Sequence, residues 1–365
     1  MRSNIWRFFD FWLFGVVILL SIFGVAMIRS AVAGSPGLID SVSRQIIWLA
    51  ISMVVIVVVS IVDYHYWASL VRPMYLLTVV LLVVIFALGE ARFGSSRWLS
   101  TGLILIQPSE LAKIVMILVL ADYFAKNEDR PHDLMWIGRS LALTAGVVVW
   151  IILQPNLSTS IVLLVIWFSM LWISGLPMKY LLIFGVLGII AAGAVFPFLQ
   201  QYQQQRVFDF LFPDPNASYG NTYNVDQALI TIGSGGWFGM GYGGGTQVQL
   251  RFLKVRHTDF IFSAMAEEFG FVGTVIVLLL LVFVIYRCVR AARMAADTFG
   301  ALIAYGFAIL MFFQMSVNIG VNLKVIPVTG LTLPFISYGG SSLLSLALGI
   351  GLVESVVLRH KSLDF

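Results

Sequence analysis

Ten long apolar stretches limit what this chain can fold into. They lie near residues 11–28, 46–62, 73–89, 107–125, 139–153, 158–175, 178–198, 260–286, 299–323 and 334–358. A membrane helix needs about 20 mostly apolar residues, and these runs are continuous rather than alternating, which excludes a β-barrel. Only 11% of the 365 residues are charged, too few to cover a soluble protein. We therefore predict an all-α integral membrane protein with about ten transmembrane helices in a single domain, residues 1–365.

The distribution of Lys and Arg predicts the orientation of these helices. If the N-terminus is cytoplasmic, the inner segments hold twelve Lys or Arg residues and the short outer loops hold five. Cytoplasmic loops carry the excess of basic residues. We therefore expect both termini in the cytoplasm and a large extracytoplasmic loop, 199–258, between helices 7 and 8. The first stretch is too long for a signal peptide and no small-residue cleavage site follows it, so we interpret it as a retained anchor.

Two features that could indicate cofactors do not support that interpretation. Cys288 is the single cysteine, so an internal disulfide or a cysteine metal site is impossible. Gly239, Gly241 and Gly244 formally match G-x-G-x-x-G, but no strand precedes them and the chain has no βαβ unit. The glycine-rich stretch 233–245 is more typical of a flexible or re-entrant loop that lines a cavity. We expect no organic cofactor and no nucleic-acid partner.

Ionisable residues inside the apolar stretches are candidates for function, because each costs about 2.5–3.5 kcal/mol to insert. They are Glu110, Lys113, Asp122, Glu267, Glu268 and Glu354. Glu110 and Lys113 are spaced i, i+3 and share a helix face just after Pro108, which suits a first helical position. The sequence leaves open whether this pair is a structural ion pair or part of a catalytic site.

Asp259 stands at the outer start of the eighth stretch, after Arg256, His257 and Thr258. A carboxylate at the boundary between water and membrane keeps access to water, while partial desolvation raises its pKa, which suits a general base. A helix cap is the simpler alternative, since Asp is common at that position. Spacing alone does not choose between these roles.

Several polar features fall on the outer side in this topology. They are Arg97, the start of the fourth stretch, Gln154, the glutamine-rich run that leads to Arg206, Asp259 and Ser337. Their coincidence predicts a shared site that faces outward. Chance is the alternative, because half of all loops are outside.

Nine short motifs follow one another over most of the chain. They are Gly94-Ser-Ser-Arg97-Trp98-Leu, Gln107-Pro-Ser-Glu-Leu-Ala-Lys113, Gln154-Pro155, Gln204-Gln-Arg206-Val207, Ile232-Gly-Ser-Gly-Gly236, Gly245-Thr-Gln-Val-Gln249, His257-Thr-Asp-Phe-Ile-Phe262, Ala266-Glu-Glu-Phe-Gly270 and Ile336-Ser-Tyr-Gly-Gly340. Together they resemble the SEDS family (shape, elongation, division and sporulation). The glutamine-rich lead into Arg206 and the lack of long terminal extensions favour the rod-shape member over the division member.

The resemblance implies a ten-helix peptidoglycan glycosyltransferase in the bacterial cytoplasmic membrane, with its active site facing outside. Its substrates would be lipid II (the undecaprenyl-diphosphate-linked disaccharide-pentapeptide) and the nascent glycan. Its partners would be a class B penicillin-binding protein, which crosslinks the product, and other proteins of the elongation complex. Asp259 matches the family's essential aspartate, and Glu110 and Lys113 match its ion pair.

Two departures from the family pattern stand out. Asn156 and Ser158 occupy positions where the family usually has Asp and Gly, which makes a charge role at residue 156 doubtful. Lys254-Val255 precedes Arg256, where Pro-Glu is usual. Neither departure touches the proposed base.

The chemistry that the resemblance implies is an inverting displacement. Asp259 would deprotonate the acceptor's 4-hydroxyl, with His257, Thr258, Gln154 and Ser337 supporting the site. Arg97, Lys113 and Arg206, or a divalent cation such as Mg²⁺ or Mn²⁺, would balance charge on the diphosphate. Two alternatives remain: a lipid II flippase, which should show internal repeats and a midplane site, and a non-catalytic scaffold for the penicillin-binding protein.

Overall fold

Each of the ten apolar stretches contains a long helix in the computed structural model, which describes residues 5–88, 90–92, 95–100, 105–129, 133–213 and 220–360, although in the stretch 334–358 the helix begins only at Gly340. Each long helix corresponds to one predicted stretch, and three shorter helices lie between the seventh and eighth of them. The helices are α1 Phe11–Val32, α2 Asp40–Ile61, α3 Tyr64–Leu88, α4 Pro108–Lys126, α5 Leu134–Leu153, α6 Leu157–Ile173, α7 Met178–Val195, α8 Gln201–Leu211, α9 Gly220–Ser234, α10 Thr246–Gln249, α11 Ile261–Met294, α12 Thr298–Asn322 and α13 Gly340–Leu358.

The predicted fold class is confirmed: the protein is all-α and multi-pass by length and composition. Among the described residues, seven helices (α1, α2, α3, α5, α11, α12 and α13) are long and apolar enough to cross a membrane. Helices α6 and α7 are apolar but shorter. Helix α4 has the length but carries four ionisable residues, Glu110, Lys113, Asp122 and Lys126, within 19 positions.

Aspartate side chains fix where several of these helices begin. Asp10 accepts a hydrogen bond from the backbone N–H of Leu13 at 3.1 Å, before α1. Asp133 does the same for Trp136, before α5, at 2.8 Å. A cap of this kind stabilises a helix by typically about 1 kcal/mol because it satisfies an N–H that has no partner inside the helix.

The two ends of the described chain lie at the same end of the helix bundle. The rings of Phe8 and His360 are 5.1 Å apart, edge to face. The backbone N–H of Asp10 donates to Oε2 of Glu354 at 3.0 Å. Both ends on one side require an even number of crossings, as ten helices give.

Helices α12 and α13 form the centre of the bundle. Most of α13 and two thirds of α12 are buried, whereas α3 is largely exposed toward the surroundings. Small residues permit this close packing: a Cβ at Gly349 would lie 2.0 Å from the ring of Phe307, and one at Gly306 would lie 2.8 Å from Ile117. Small residues at helix contacts are typical of membrane proteins, where close approach replaces the hydrophobic drive.

A small antiparallel sheet, which the sequence analysis does not predict, lies between α3 and α4. Its strands are β1 Glu90–Arg92, β2 Ser95–Ser100 and β3 Leu105–Ile106, in the order β1-β2-β3. Strands of two to six residues are too short to give a recognisable alternation in the sequence. Arg97 therefore lies on a strand rather than in an irregular loop.

The predicted loop 199–258 differs from the structure, because it contains α8, α9 and α10. At the start of α8, the side chains and backbones of Gln200 and Gln203 form a reciprocal capping box. At α10, the carboxylate of Glu267 accepts from the N–H groups of Gln247 (2.8 Å) and Val248 (3.2 Å). Local capping thus produces helices too short and too polar to be noticed as periodic segments.

The glycine-rich stretch 233–245 packs against a break in α11. Gly270 has φ 66° and ψ −168°, which interrupts the helix. Across the break, the Met240 N–H donates to the Glu267 carbonyl at 2.9 Å, and the Phe271 N–H donates to the Gly236 carbonyl at 2.9 Å. The stretch is therefore a packed turn that satisfies backbone groups of the broken helix, as irregular backbone near a membrane requires.

Candidate active site

Asp259 lies in the turn that precedes α11. The N-cap residue of that helix is Phe260, so Asp259 stands one residue before the cap position. The cap alternative considered for Asp259 therefore does not match the structure. Its side chain is partly buried, and a Cβ built on Gly330 would lie 3.8 Å from its Oδ2 atom. The carboxylate thus faces the connection between α12 and α13.

The surroundings of Asp259 make it a stronger base than an ordinary aspartate. Loss of water around the carboxylate raises its pKa from 3.8 to about 6. The charge of Arg206 and a hydrogen bond with the Thr258 side chain oppose this rise, but less strongly. Desolvation dominates because it disfavours the charged form. Asp259 is therefore ionised at neutral pH and binds a proton with useful strength.

The segment around Asp259 is held against the start of α13. The Ser337 hydroxyl donates to the Thr258 carbonyl at 2.8 Å and accepts from the Leu333 N–H at 2.9 Å. The Tyr338 N–H donates to the His257 carbonyl at 2.9 Å, and the two rings are 5.8 Å apart. Ser337 therefore acts on the backbone that carries Asp259. Burial and the charge of Arg256 lower the pKa of His257, which keeps it neutral at pH 7.

The α12–α13 connection, residues 323–339, links the separate parts of the site. Its Val328 carbonyl accepts from Nη1 of Arg206 at 3.2 Å. Its Thr329 carbonyl accepts from the hydroxyl of Ser158, at the start of α6. Ser337 of this connection was predicted for the site, whereas the contacts at Val328 and Thr329 could not be predicted, because they are made by backbone carbonyl groups that every residue type has.

Arg206 lies on α8 with its guanidinium 5.8 Å from the centre of the Tyr202 ring. The Tyr202 hydroxyl donates to the Pro155 carbonyl at 2.6 Å, so α8 is fixed to the end of α5. A pocket beside Arg206 is also lined by Asp209, Thr222 and Lys324. Lys324 forms an ion pair with Asp226 at 2.6 Å, so much of its charge is already neutralised.

Glu110 and Lys113 form the ion pair that their spacing predicts. The Lys113 Nζ lies 2.8 Å from Oε2 of Glu110, and only 1% of the lysine side chain is exposed. The Glu110 carbonyl accepts from the Ser345 hydroxyl at 2.8 Å, so the pair contacts α13. One turn before Ser345 on α13, Oγ of Ser342 lies 2.9 Å from Oγ1 of Thr332. Helix α13 therefore contacts both the ion pair and the α12–α13 connection, which Asp259 faces.

Gln154 and Asn156 organise the junction of α5 and α6. The Gln154 side-chain amide donates to the Leu82 carbonyl at 2.8 Å, and only 3% of the residue is exposed. Asn156 caps α6 by accepting from the Thr159 N–H, and its amide donates to the Ser109 hydroxyl at 3.3 Å. The structure therefore places Gln154 toward α3. The cap at residue 156 needs no charge.

The remaining candidates divide between structural contacts and undescribed side chains. Arg97 lies on β2, and its side chain lies outside the described residues. Glu268 accepts a hydrogen bond from the hydroxyl of Ser30 on α1, and Glu267 binds the start of α10. Asp122 pairs with Lys126 one turn along α4 at 2.7 Å. None of these contacts connects to Asp259.

The described residues offer few ligands for a divalent cation. Within the described ranges, no three His, Cys, Asp or Glu side chains cluster as metal ligands. Mg²⁺ at phosphate sites is commonly held by one or two carboxylates together with phosphate oxygens and water. The cation stays a prediction.

Comparison with known proteins identifies relatives along the whole chain. The family model FTSW_RODA_SPOVE, described as cell cycle protein, matches residues 3–362. The peptidoglycan glycosyltransferase MrdB of Escherichia coli K12 is 35% identical over 96% of this chain and 93% of its own length. A probable peptidoglycan glycosyltransferase FtsW of Hydrogenovibrio crunogenus is also 35% identical, over 96% of this chain and 92% of its own length.

The fold is similar to that of a solved chain. That chain comes from a study of the structural coordination of polymerization and crosslinking by a peptidoglycan synthase complex. It superposes with a TM-score of 0.82, at 32% identity over 96% of this chain and 97% of its own length. The similarity therefore extends to the arrangement of the whole bundle.

Proposed function

The chain belongs to the FtsW/RodA/SpoVE family of cell cycle proteins, and we propose that it polymerises lipid II into glycan strands with Asp259 as the general base. It is a peptidoglycan glycosyltransferase, as its relatives are named. The observation that carries the proposal is the Asp259 carboxylate, which has a pKa of about 6 and lies beside the connection that binds Arg206.

The proposed reaction is a single inverting displacement. Asp259 accepts the proton of the acceptor's 4-hydroxyl, and the oxygen attacks the anomeric carbon of the donor. The bond from that carbon to the diphosphate oxygen breaks, and undecaprenyl diphosphate leaves with the electron pair. An α-linked donor gives a β-linked product in one step, so one base is sufficient. A bound Mg²⁺ or Mn²⁺ would contribute charge neutralisation at the diphosphate.

Arg206 is the cation that we assign to the leaving group. It lines a pocket, and its charge lowers the pKa of Asp259, so we place it near the reacting atoms. Removing one electrostatic contact of this kind typically costs about 2.7–4 kcal/mol of transition-state stabilisation. Lys113 is buried and paired with Glu110, so we assign that pair to holding α4 against α13 beneath the site.

We further propose that the protein lies in the bacterial cytoplasmic membrane with both termini in the cytoplasm. The excess of Lys and Arg on one side supports this orientation. Arg206, Asp259 and Ser337 lie at the end of the bundle opposite to the chain ends, so they would face outward. Lipid-linked sugars arrive there already activated by their diphosphate.

The proposed protein partner is a class B penicillin-binding protein that crosslinks the new strands, together with other elongation-complex proteins. The structural similarity to a chain of a peptidoglycan synthase complex supports such a partner. A role in elongation and rod shape is favoured by the glutamine-rich lead into Arg206. The relatives named MrdB and FtsW are equally identical, so identity alone does not separate elongation from division.

The proposal can be tested by incubating the purified protein with lipid II and its partner in detergent and measuring polymer. We expect glycan polymer from the wild type and almost none from Asp259→Asn, whose side chain has the same shape but accepts no proton. Detergent has no leaflets, so a flippase would give no polymer there. If Asp259→Asn polymerises at a near-normal rate, the base is another group. A non-catalytic scaffold predicts that this variant also keeps normal cell shape.

A further inference from the structure

A side chain from α12 forms hydrogen bonds with two backbone groups at the start of α11. In a regular helix the Asp259 carbonyl would accept from the N–H four residues on, that of Ser263. Instead, this carbonyl accepts from the amide of Asn318 at 3.1 Å and from that of Asn322 at 3.0 Å. The Ser263 N–H donates to Oδ1 of Asn322 at 3.2 Å. The carboxamide of Asn322 therefore stands between the two backbone groups.

Both asparagines are held in a single orientation. Asn318 is 1% exposed and Asn322 is fully buried. Besides its bond to Asp259, Asn322 donates to the Asn318 carbonyl at 2.8 Å and accepts from the Ser263 hydroxyl at 2.6 Å. A buried carboxamide that loses such partners is left with an unsatisfied polar group, which costs about 1–3 kcal/mol. The arrangement is therefore rigid.

Asn318 joins this arrangement to the α12–α13 connection. Its amide also donates to the Leu331 carbonyl at 2.8 Å. Gly330, the residue before Leu331, faces the Asp259 carboxylate. The carbonyl of Val328, three residues before Leu331, binds Arg206. Two carboxamides one turn apart on α12 thus fix both the backbone of Asp259 and the connection that binds Arg206.

We propose that Asn318 and Asn322 are positioning residues that keep the Asp259 carboxylate outside α11 and aligned with Arg206. The inference rests on the proposed function, since it assumes that Asp259 is the base. Without Asn322, the Asp259 carbonyl and the Ser263 N–H are free to bond each other, and α11 extends toward Asp259. The carboxylate then turns with the new helical turn.

Kinetics of Asn322→Leu and Asn318→Leu test this role in the purified protein. A misplacement of about 1 Å costs on the order of 10²-fold in rate, so we expect kcat to fall to that extent while KM stays within a few-fold. Gln314→Leu is the matched control, because Gln314 is buried on the same face of α12, one turn before Asn318. It should keep kcat, since it lies away from Asp259.

The pH profile separates positioning from a loss of folded protein. In Asn322→Leu the displaced carboxylate gains water, which lowers its pKa, and moves relative to Arg206, which raises it; the first effect is the larger because desolvation is the main cause of the raised pKa. The acid limb of kcat/KM should therefore move to lower pH. Rates are divided by the folded fraction measured at each pH, so a loss of folded protein alone leaves this midpoint in place. An unchanged midpoint together with a normal kcat overturns the proposal.

Amide hydrogen exchange tests the geometry independently of activity. In Asn322→Asp, which keeps the size and the acceptor oxygen, the Ser263 N–H should stay protected. In Asn322→Leu, protection of the peptide containing Ser263 should change, whereas Gln314→Leu should leave it as in the wild type. Unaltered exchange in Asn322→Leu contradicts the positioning role even if the enzyme polymerises lipid II. A wild type that forms no polymer contradicts the proposed function instead, and the exchange result then decides the positioning role.

Discussion

Nζ of Lys113 lies 2.8 Å from Oε2 of Glu110 in the interior of the bundle, and the lysine side chain is almost completely enclosed. Breaking a buried pair by removing one partner leaves an uncompensated charge, which costs about 3–5 kcal/mol. We expect Lys113→Met to lower the thermal stability in detergent by that amount. The double variant Lys113→Met/Glu110→Leu should recover much of it.

Helix α4 also offers a matched control for that measurement. Asp122 and Lys126 form a second pair on the same helix at 2.7 Å, but the lysine is 62% exposed. Exposed pairs contribute about 0–1 kcal/mol because water screens them. Lys126→Met should therefore change the unfolding temperature little. Equal losses in Lys113→Met and Lys126→Met would show that the Glu110–Lys113 pair is not effectively buried.

The rate of polymerisation should depend on the ionisation of Asp259. Its pKa is about 6, and only the deprotonated carboxylate accepts a proton from the acceptor. We expect kcat/KM to be level above pH 7 and to fall about tenfold per pH unit well below pH 6. A pH–rate series with wild-type protein measures this limb. A limb with a midpoint near pH 4 would indicate that Asp259 is well hydrated in the working enzyme.

Asp259 should also lower the free energy of unfolding at neutral pH relative to its value at pH 4. Because burial raises its pKa above the ordinary 3.8, the stability it contributes is full below about pH 4 and is lost as pH rises through 6. Two pH units correspond to a ceiling of roughly 3 kcal/mol at pH 7.5. Asp259→Asn should therefore unfold at a higher temperature than the wild type at pH 7.5, with the difference vanishing near pH 4. A lower unfolding temperature at pH 7.5 would contradict this expectation.

Arg206→Gln should affect both the rate and the pH profile. Arg206 lowers the pKa of Asp259, so its loss should move the acid limb to higher pH. Loss of its charge at the diphosphate should reduce kcat by about 10²–10³-fold. Arg251→Gln serves as the control and should do neither, because Arg251 is an exposed arginine in the same segment between α7 and α11. A reduced rate with an unmoved acid limb would place Arg206 away from Asp259.

Gly239→Ala should disrupt the packed turn against α11. Gly239 has φ +79°, and a Cβ there would lie 2.2 Å from the Glu268 carbonyl oxygen, so backbone must move. Gly243 has φ +71° but open space around it, so Gly243→Ala isolates the cost of the dihedral, about 1–2 kcal/mol. We expect Gly239→Ala to cost about 3 kcal/mol or more in thermal unfolding, because overpacking adds to that strain. Similar costs in both variants would indicate a looser turn.

The helices of this protein and their lipid surroundings could be predicted from residue type alone. Apolar runs of membrane length allow few alternatives, since backbone in lipid must bond to itself. Each of the ten stretches contains one long helix, and the Glu110–Lys113 pair follows from i, i+3 spacing alone. The short strands and helices α8 to α10 were missed because they depend on caps and partners rather than on periodicity.

The surroundings of Asp259, in contrast, depend on how the helices pack and could not be predicted from the sequence. The sequence left it between a helix cap and a base, and the fold places it one residue before the cap, with its backbone held by Asn318 and Asn322. It also shows that the side-chain amide of Gln154 donates to the Leu82 carbonyl of α3, a contact that the motif does not predict. Contacts between residues 59 or more positions apart, many of them through backbone carbonyls, are set by how helices pack. Residue type at either position does not encode them.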